Sequence, residues 1–181
     1  MIGQKKEYAR VLEADSTWFK EIFPFPIHFA PEINFEGYED AQFPKGWGKP
    51  ESPEFWSYLF AWNINHSGKF SEQELETNLT YYFDGLMKVV NDDKELTVPP
   101  STVLILKADS ISHGADYLGK VRLYDAFRTK EMITLQIRAD VHPCENQDKS
   151  IVVFRFSPKG FDNDIWKLLQ EVRLTPNACE L

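Results

Sequence analysis

The 181-residue sequence predicts an α+β fold: a mostly antiparallel sheet of about five to six strands, packed by a long central helix and by shorter N- and C-terminal helices. Three patterns predict it. Apolar residues recur at helical spacing from Leu75 to Val90, they alternate at period two from Met132 to Val141, and the later strands are joined by links that allow hairpins but are too short for parallel crossovers. Hydrophobic residues make up 43% and charged residues 27%, so the chain is expected to bury one core as a single domain over 1–181, with 1–7 and 175–181 frayed.

In chain order, Val11, Leu12, Trp18, Phe19 and Ile22 make a rough helical stripe over Tyr8 to Phe23, interrupted at Asp15-Ser16. Pro24, Pro26 and Pro31 forbid a helix beyond it, and the alternation of Phe25, Ile27 and Phe29 predicts an edge strand there. Ile33 to Pro53 is rich in Pro, Gly and acidic residues and reads as irregular, with turns at Pro44-Lys45-Gly46-Trp47-Gly48. Phe55 to Ile64 reads as a strand apolar on both sides, with Trp56, Tyr58, Phe60 and Trp62 on one face. Such a strand belongs inside a sheet covered on both faces, or carries an aromatic surface for a ligand.

Ser71-Glu72-Gln73-Glu74 is a capping box at a helix start, followed by Leu75, Leu79, Tyr82, Phe83, Leu86, Met87 and Val90 as the buried stripe. Gly85 inside that helix costs about 1 kcal/mol against alanine and signals a close approach or a bend. Strands are expected over 103–108, 120–127, 132–141 and 151–156. The last helix is placed from Asp162 as N-cap, with Phe161 stapled onto Trp166. In element order alone this arrangement resembles the PsbP-like sandwiches, and no residue is carried over from that resemblance.

The net charge of −8, with no Lys/Arg-rich stripe, argues against nucleic acid and against an anionic membrane surface as partners. No apolar run reaches the length of a spanning helix, and no phosphate-cradling glycine loop occurs, so neither a membrane nor a nucleotide cofactor is predicted. Read from Met1 the chain lacks an export segment, which predicts the cytoplasm. Ile2-Gly3-Gln4 also looks like the tail left by a trimmed signal peptide, which predicts a periplasmic or secreted protein. Cys144 and Cys179 are the only cysteines; export would let them pair, and otherwise they are ordinary thiols.

No residue is assigned a catalytic or metal-binding role, and no cofactor is predicted. Asp109-Ser110-Ile111-Ser112-His113-Gly114-Ala115-Asp116 holds the residue types of a Ser/His/Asp triad but reads as a polar turn. His142-Pro143-Cys144 lacks the second close-spaced ligand pair of a zinc site. Asn65-His66-Ser67 and Asn78-Leu79-Thr80 match the glycosylation pattern at chance frequency. The best-supported function is a non-catalytic module that binds a small molecule or a protein partner. Its candidate residues are Trp47, Trp56, Tyr58 and Trp62 as aromatic surface, with Tyr38, Glu39 and Asp40 from the acidic loop. The alternatives are a small glycosidase-like hydrolase using the carboxylates Glu36, Glu39, Asp40 and Glu51, and a structural or accessory protein.

Overall fold

Residues 7–181 are described by the computed structural model, with the side chains of Ser110 and Ser112 outside that description. Seven antiparallel strands form one sheet in the order β2-β3-β4-β8-β7-β6-β5. In chain order β2 is Phe19–Pro24, β3 Gly37–Phe43, β4 Tyr58–Ile64, β5 Thr102–Lys107, β6 Tyr117–Tyr124, β7 Met132–Pro143 and β8 Ser150–Ser157. A separate antiparallel pair joins β1, Leu12–Glu13, to β9, Arg173–Leu174. The helices are α1, Glu72–Val90, the four-residue α2, Ser110–His113, and α3, Ile165–Glu171.

The sheet has a core on each face. Helix α1 and the 27–33 segment cover one side, where Phe60, Trp62, Phe83, Phe154 and Phe156 are fully buried. Helix α3 and the β1–β9 pair cover part of the other, enclosing Leu59, Ala61, Ile151, Val153, Trp166 and Leu169. All seven residues of β4 are buried, as expected of a strand apolar on both sides. The expected α+β class with a mostly antiparallel sheet therefore holds, with more strands than predicted, without the N-terminal helix, and with the short α2 that was not predicted.

The missing helix is the N-terminal one. Asp15 accepts hydrogen bonds from the Thr17 backbone and hydroxyl at 2.8 and 2.7 Å, turning the chain, and residues 19–24 then pair with β3 as an edge strand. Phe19, Glu21 and Phe23 share one face of that strand; counted with Trp18 and Ile22 they imitate a helical stripe, because short apolar patterns fit both periods. The edge strand expected over 25–29 is correspondingly displaced: the chain turns after Pro24 through a cis Phe25–Pro26 bond. The stretch over 33–53 contains β3, the neighbour of the doubly buried β4.

Ser71 caps α1, its Oγ accepting from Glu74 N at 3.1 Å, but Glu74 turns its carboxylate to His66 Nε2 at 3.2 Å rather than back to the cap. At Gly85 an added Cβ would overlap the Phe29 carbonyl, so the close approach is to the 27–33 segment rather than to the sheet. Helix α3 begins at Ile165, not after Asp162, with Asn163 Oδ1 accepting from Ile165 N at 3.0 Å; Phe161 and Trp166 still meet, ring centroids 4.9 Å apart. The outward side of β7 is partly roofed, since the Arg138 guanidinium stacks on Phe161 at 4.9 Å from its centroid.

The C-terminal residues 175–181, expected to fray, are fastened. Cys179 is bonded to Cys144 in the β7–β8 turn, and Lys149 Nζ donates to the carbonyl oxygens of Cys179 and Leu181 at 3.2 and 2.6 Å. The expected fraying of 1–7 lies outside the described residues except for Glu7. Because the bond spans 35 residues, its loss releases considerable chain entropy in the unfolded state. Replacing both cysteines by serine is expected to cost about 3 kcal/mol in urea unfolding. A loss below about 1 kcal/mol would show that the C-terminal turn is held without it.

Candidate functional site

A cavity of about 380 Å³ opens where the β2–β3–β4 end of the sheet meets α1 and the β6–β7 hairpin. Its walls are aromatic: Phe19 and Phe23 from β2, Phe43 from β3, Tyr58 from β4, and Tyr82 from α1. Trp47, Trp56 and Phe127 close it from two loops, and Glu21 and Arg128 are its only charged lining residues.

Each loop has a local reason for its shape. Between Pro44 and Ser57 successive turns are closed by Trp47 N to Pro44 O, Lys49 N to Gly46 O and Ser52 N to Lys49 O, while Glu54 Oε2 accepts from Gly46 N at 2.6 Å. Trp56 N then donates to Trp47 O at 2.8 Å, which brings the two indoles together, centroids 6.2 Å apart and nearly perpendicular. Trp56 has φ of 52°, a left-handed conformation that costs a non-glycine residue about 1 kcal/mol or more. That turn carries the indole onto the Tyr58 face although Trp56 lies outside β4. On the hairpin, the Asp125 carboxylate accepts from the backbone N–H groups of Phe127, Arg128 and Thr129 and from the Thr129 hydroxyl, all within 3.1 Å. This fixes the backbone that presents Phe127 and Arg128.

Two polar groups of the lining residues are sealed from solvent and have no partner. Trp56 Nε1 and Tyr58 Oη are both buried and meet no hydrogen-bonding group among the described residues. Their rings are 6.2 Å apart by centroid. Burial, reinforced by Glu39, holds the Tyr58 and Tyr82 phenols well above the ordinary tyrosine range, so Tyr58 presents an O–H donor.

Behind Tyr82 lies a carboxyl group in the aromatic core. Glu39 is fully buried, its Oε1 accepting from Tyr82 Oη and its Oε2 from Trp62 Nε1, both at 2.8 Å. Burial pushes its pKa up to about 8, against the pull of the Trp62 and Tyr82 donors and with a further push from Asp40 and Glu21. Glu39 is therefore mostly protonated at neutral pH.

Of the residues singled out from sequence, Trp47, Trp56 and Tyr58 line the cavity together. Trp62 lies four positions beyond Tyr58 on β4, wholly enclosed and bonded to Glu39. Tyr38 and Asp40 point to the opposite face of the sheet. Tyr38 Oη donates to Ala9 O at 2.6 Å and accepts from Asn63 Nδ2 at 3.0 Å, beside a second cavity. Asp40 accepts from Arg10 Nη1 at 2.7 Å and from the backbone N–H groups of Val11 and Leu12 at 3.0 and 3.1 Å. Burial raises its pKa despite these donors. Glu39 and Asp40, consecutive on β3, thus flank no common space, while Glu36 accepts from Asn65 Nδ2 at 3.1 Å and Glu51 is exposed.

Elsewhere, Cys144 is taken up by its disulfide, and the Asp116 carboxylate accepts from Val141 N at 2.8 Å. Asn78, in the second glycosylation pattern, is bonded through Nδ2 to Glu74 O within α1. The residues of the 109–116 loop that would supply a nucleophile, Ser110 and Ser112, have side chains outside the described residues.

Sequence reasoning missed Phe19, Glu21, Phe23, Phe127 and Arg128. The first three fell within the segment read as a helix, Phe127 ended the strand expected over 120–127, and Arg128 fell at the hairpin link. Asp125 followed four positions later by Thr129 is a turn signal that pointed to that link. Comparison with protein-family models, with curated proteins and with solved structures found no match. Among the described residues no helix is long and apolar enough to cross a membrane.

Proposed function

We propose that this protein is a non-catalytic binding module that takes a small, largely apolar molecule into the aromatic cavity. The observation that carries this reading is a cavity of about 380 Å³ walled by aromatic side chains, with Glu21 and Arg128 as its only charged lining residues. The volume falls in the range of small-molecule sites, and the mixture of apolar wall with few polar groups is their usual composition. The positive φ of Trp56 adds strain at the same place. An oxidising compartment, where the Cys144–Cys179 bond persists, is part of this proposal.

The test separates binding from packing. Tyr58→Phe keeps the ring and removes the unpartnered hydroxyl, so it is expected to leave urea stability unchanged or raise it by about 1 kcal/mol. Leu86→Trp, from the α1 wall, fills the cavity. The neutral dye N-phenyl-1-naphthylamine is expected to bind the unmodified chain at one site with quenching of tryptophan fluorescence, and to bind the folded Leu86→Trp variant at least about tenfold more weakly. Dye binding indifferent to Leu86→Trp, or a clear loss of stability in Tyr58→Phe, would count against the reading.

A further inference from the structure

The sheet face that carries α3 is covered only in part. Helix α3 and the β1–β9 pair close over β4 and β8, whereas on β5, β6 and the first part of β7 the same face is open. Sidedness follows from the pleat: Ile105, Val121, Leu135 and Ile137 are buried in the core on the α1 side, so the residues between them point the other way. There Leu104 and Leu106 are 52% and 59% exposed, and Leu118 is half-buried. In register, Leu106 stands against Leu118, Leu118 against Arg138, and Leu104 against Lys120, with Arg122 next along β6 on that face. Thr102, Thr134 and Gln136 complete the patch. It holds no carboxylate, in a chain of 28 acidic and 20 basic residues. Asp140, the next residue of β7 on that face, is already paired with Arg155 at 2.9 Å. Lys120, Arg122 and Arg138 join no ion pair among the described residues. The Arg138 guanidinium lies 4.9 and 5.4 Å from the ring centroids of Phe161 and Trp166, at the border with the covered half.

Exposed leucines rimmed by unpaired charge of one sign make a docking surface. We infer that the open face of β5–β6–β7 docks an acidic amphipathic helix of a partner protein. The apolar side of that helix lies on Leu104, Leu106 and Leu118, and its carboxylates meet Lys120 and Arg122. Three features select this occupant. Strand addition is opposed because the Ile105 N–H of the edge strand β5 donates to Glu76 Oε1 of α1 at 2.9 Å, so a sheet face rather than a sheet edge is on offer. A second copy presenting the same face would set Lys120 and Arg122 against their own counterparts. An anionic membrane would meet the net charge of −8 of the whole chain, whereas one helix meets the cationic positions alone. The surface is independent of the aromatic cavity, which opens on the α1 side of the sheet.

Two fluorescently labelled helical peptides of about four turns test this, each with leucine along one side and either glutamate or lysine on the other. Titrated by anisotropy into the full chain, the glutamate peptide is expected to bind one to one and about tenfold more tightly than the lysine peptide. Its affinity is expected to fall about tenfold between roughly 20 and 200 mM salt. Arg122→Glu and Leu106→Gln, both at exposed positions, are each expected to weaken it about fivefold or more. Lys88→Glu makes the same charge change on the exposed side of α1 and is expected to leave it within about twofold. Equal weakening by Lys88→Glu and Arg122→Glu overturns the inference, because net charge alone is then being read. No binding of the glutamate peptide overturns it too, as does self-association of the chain that Leu106→Gln abolishes. So does Arg122-dependent binding to phosphatidylcholine vesicles with about 30% phosphatidylserine when the glutamate peptide is not bound.

Discussion

Glu39→Gln is expected to remove a large pH dependence from the stability of this protein. In the folded chain the Glu39 carboxyl holds its proton up to about pH 8, against an ordinary value of 4.5, and desolvation is the main cause. Between those two values the folded state keeps a proton that the unfolded chain has released, so stability falls as pH rises. The contribution is fully present below about pH 4.5 and lost as pH climbs through about 8. Glutamine keeps the shape without the charge: its oxygen accepts from Trp62 Nε1 and its amide donates to Tyr82 Oη. From pH 5 to pH 8 the stability of Glu39→Gln relative to the unmodified chain is expected to rise by about 4 kcal/mol, at 1.36 kcal/mol per unit. Charges elsewhere act on both chains and cancel in the difference. Paired urea titrations across that range measure it, and a separation that stays constant would mean that Glu39 is not held protonated.

Asp40→Ala is expected to cost about 3–5 kcal/mol and to free the N-terminal strap. Every neighbour of the buried Asp40 carboxyl offers a hydrogen: Arg10, the Val11 and Leu12 backbone, and Gln42 Nε2 at 3.3 Å. Only the ionised carboxylate satisfies them all, and its removal strands two backbone N–H groups under the β1–β9 pair. Asp40→Asn keeps the volume but sets an NH2 group against donors, so it is expected to recover little. Arg10→Ala is the contrast. Its side chain is 36% exposed, so it should cost no more than about 1 kcal/mol. Urea unfolding gives the energies, and trypsin cleavage at Arg10 under native conditions reports the strap. An Asp40→Ala chain as stable and as protease-resistant as the unmodified one would show that the strap is held by Val11 and Leu12 packing alone.

The surest elements were those whose pattern fits one period over many residues. Helix α1 repeats its stripe through five turns, and β7 alternates over ten residues, so chance agreement with the wrong period is small. The segment over 8–23 failed for the opposite reason, since five apolar residues in two short bursts satisfy both periods. The site was legible in part. Trp47, Trp56 and Tyr58 announced themselves as an unusual density of large rings near one strand end, whereas Phe19, Phe127 and Arg128 reach the cavity from sequence positions about 40 to 70 residues away. No local pattern records that convergence.

The chain's own residues determine the long helix with its Ser71 cap, the antiparallel links between the later strands, and a strand apolar on both sides that must lie deep in a sheet. Tertiary structure decided the rest. Residues 19–24 became a strand because β3 offered an edge to pair with, and once β3 was extended, consecutive carboxylates were sent to opposite faces. One entered an aromatic core and keeps its proton; the other clamps the N-terminal strap. Backbone spacing is a local property that residue order carries, whereas burial, charge state and the meeting of distant side chains depend on which elements pack together.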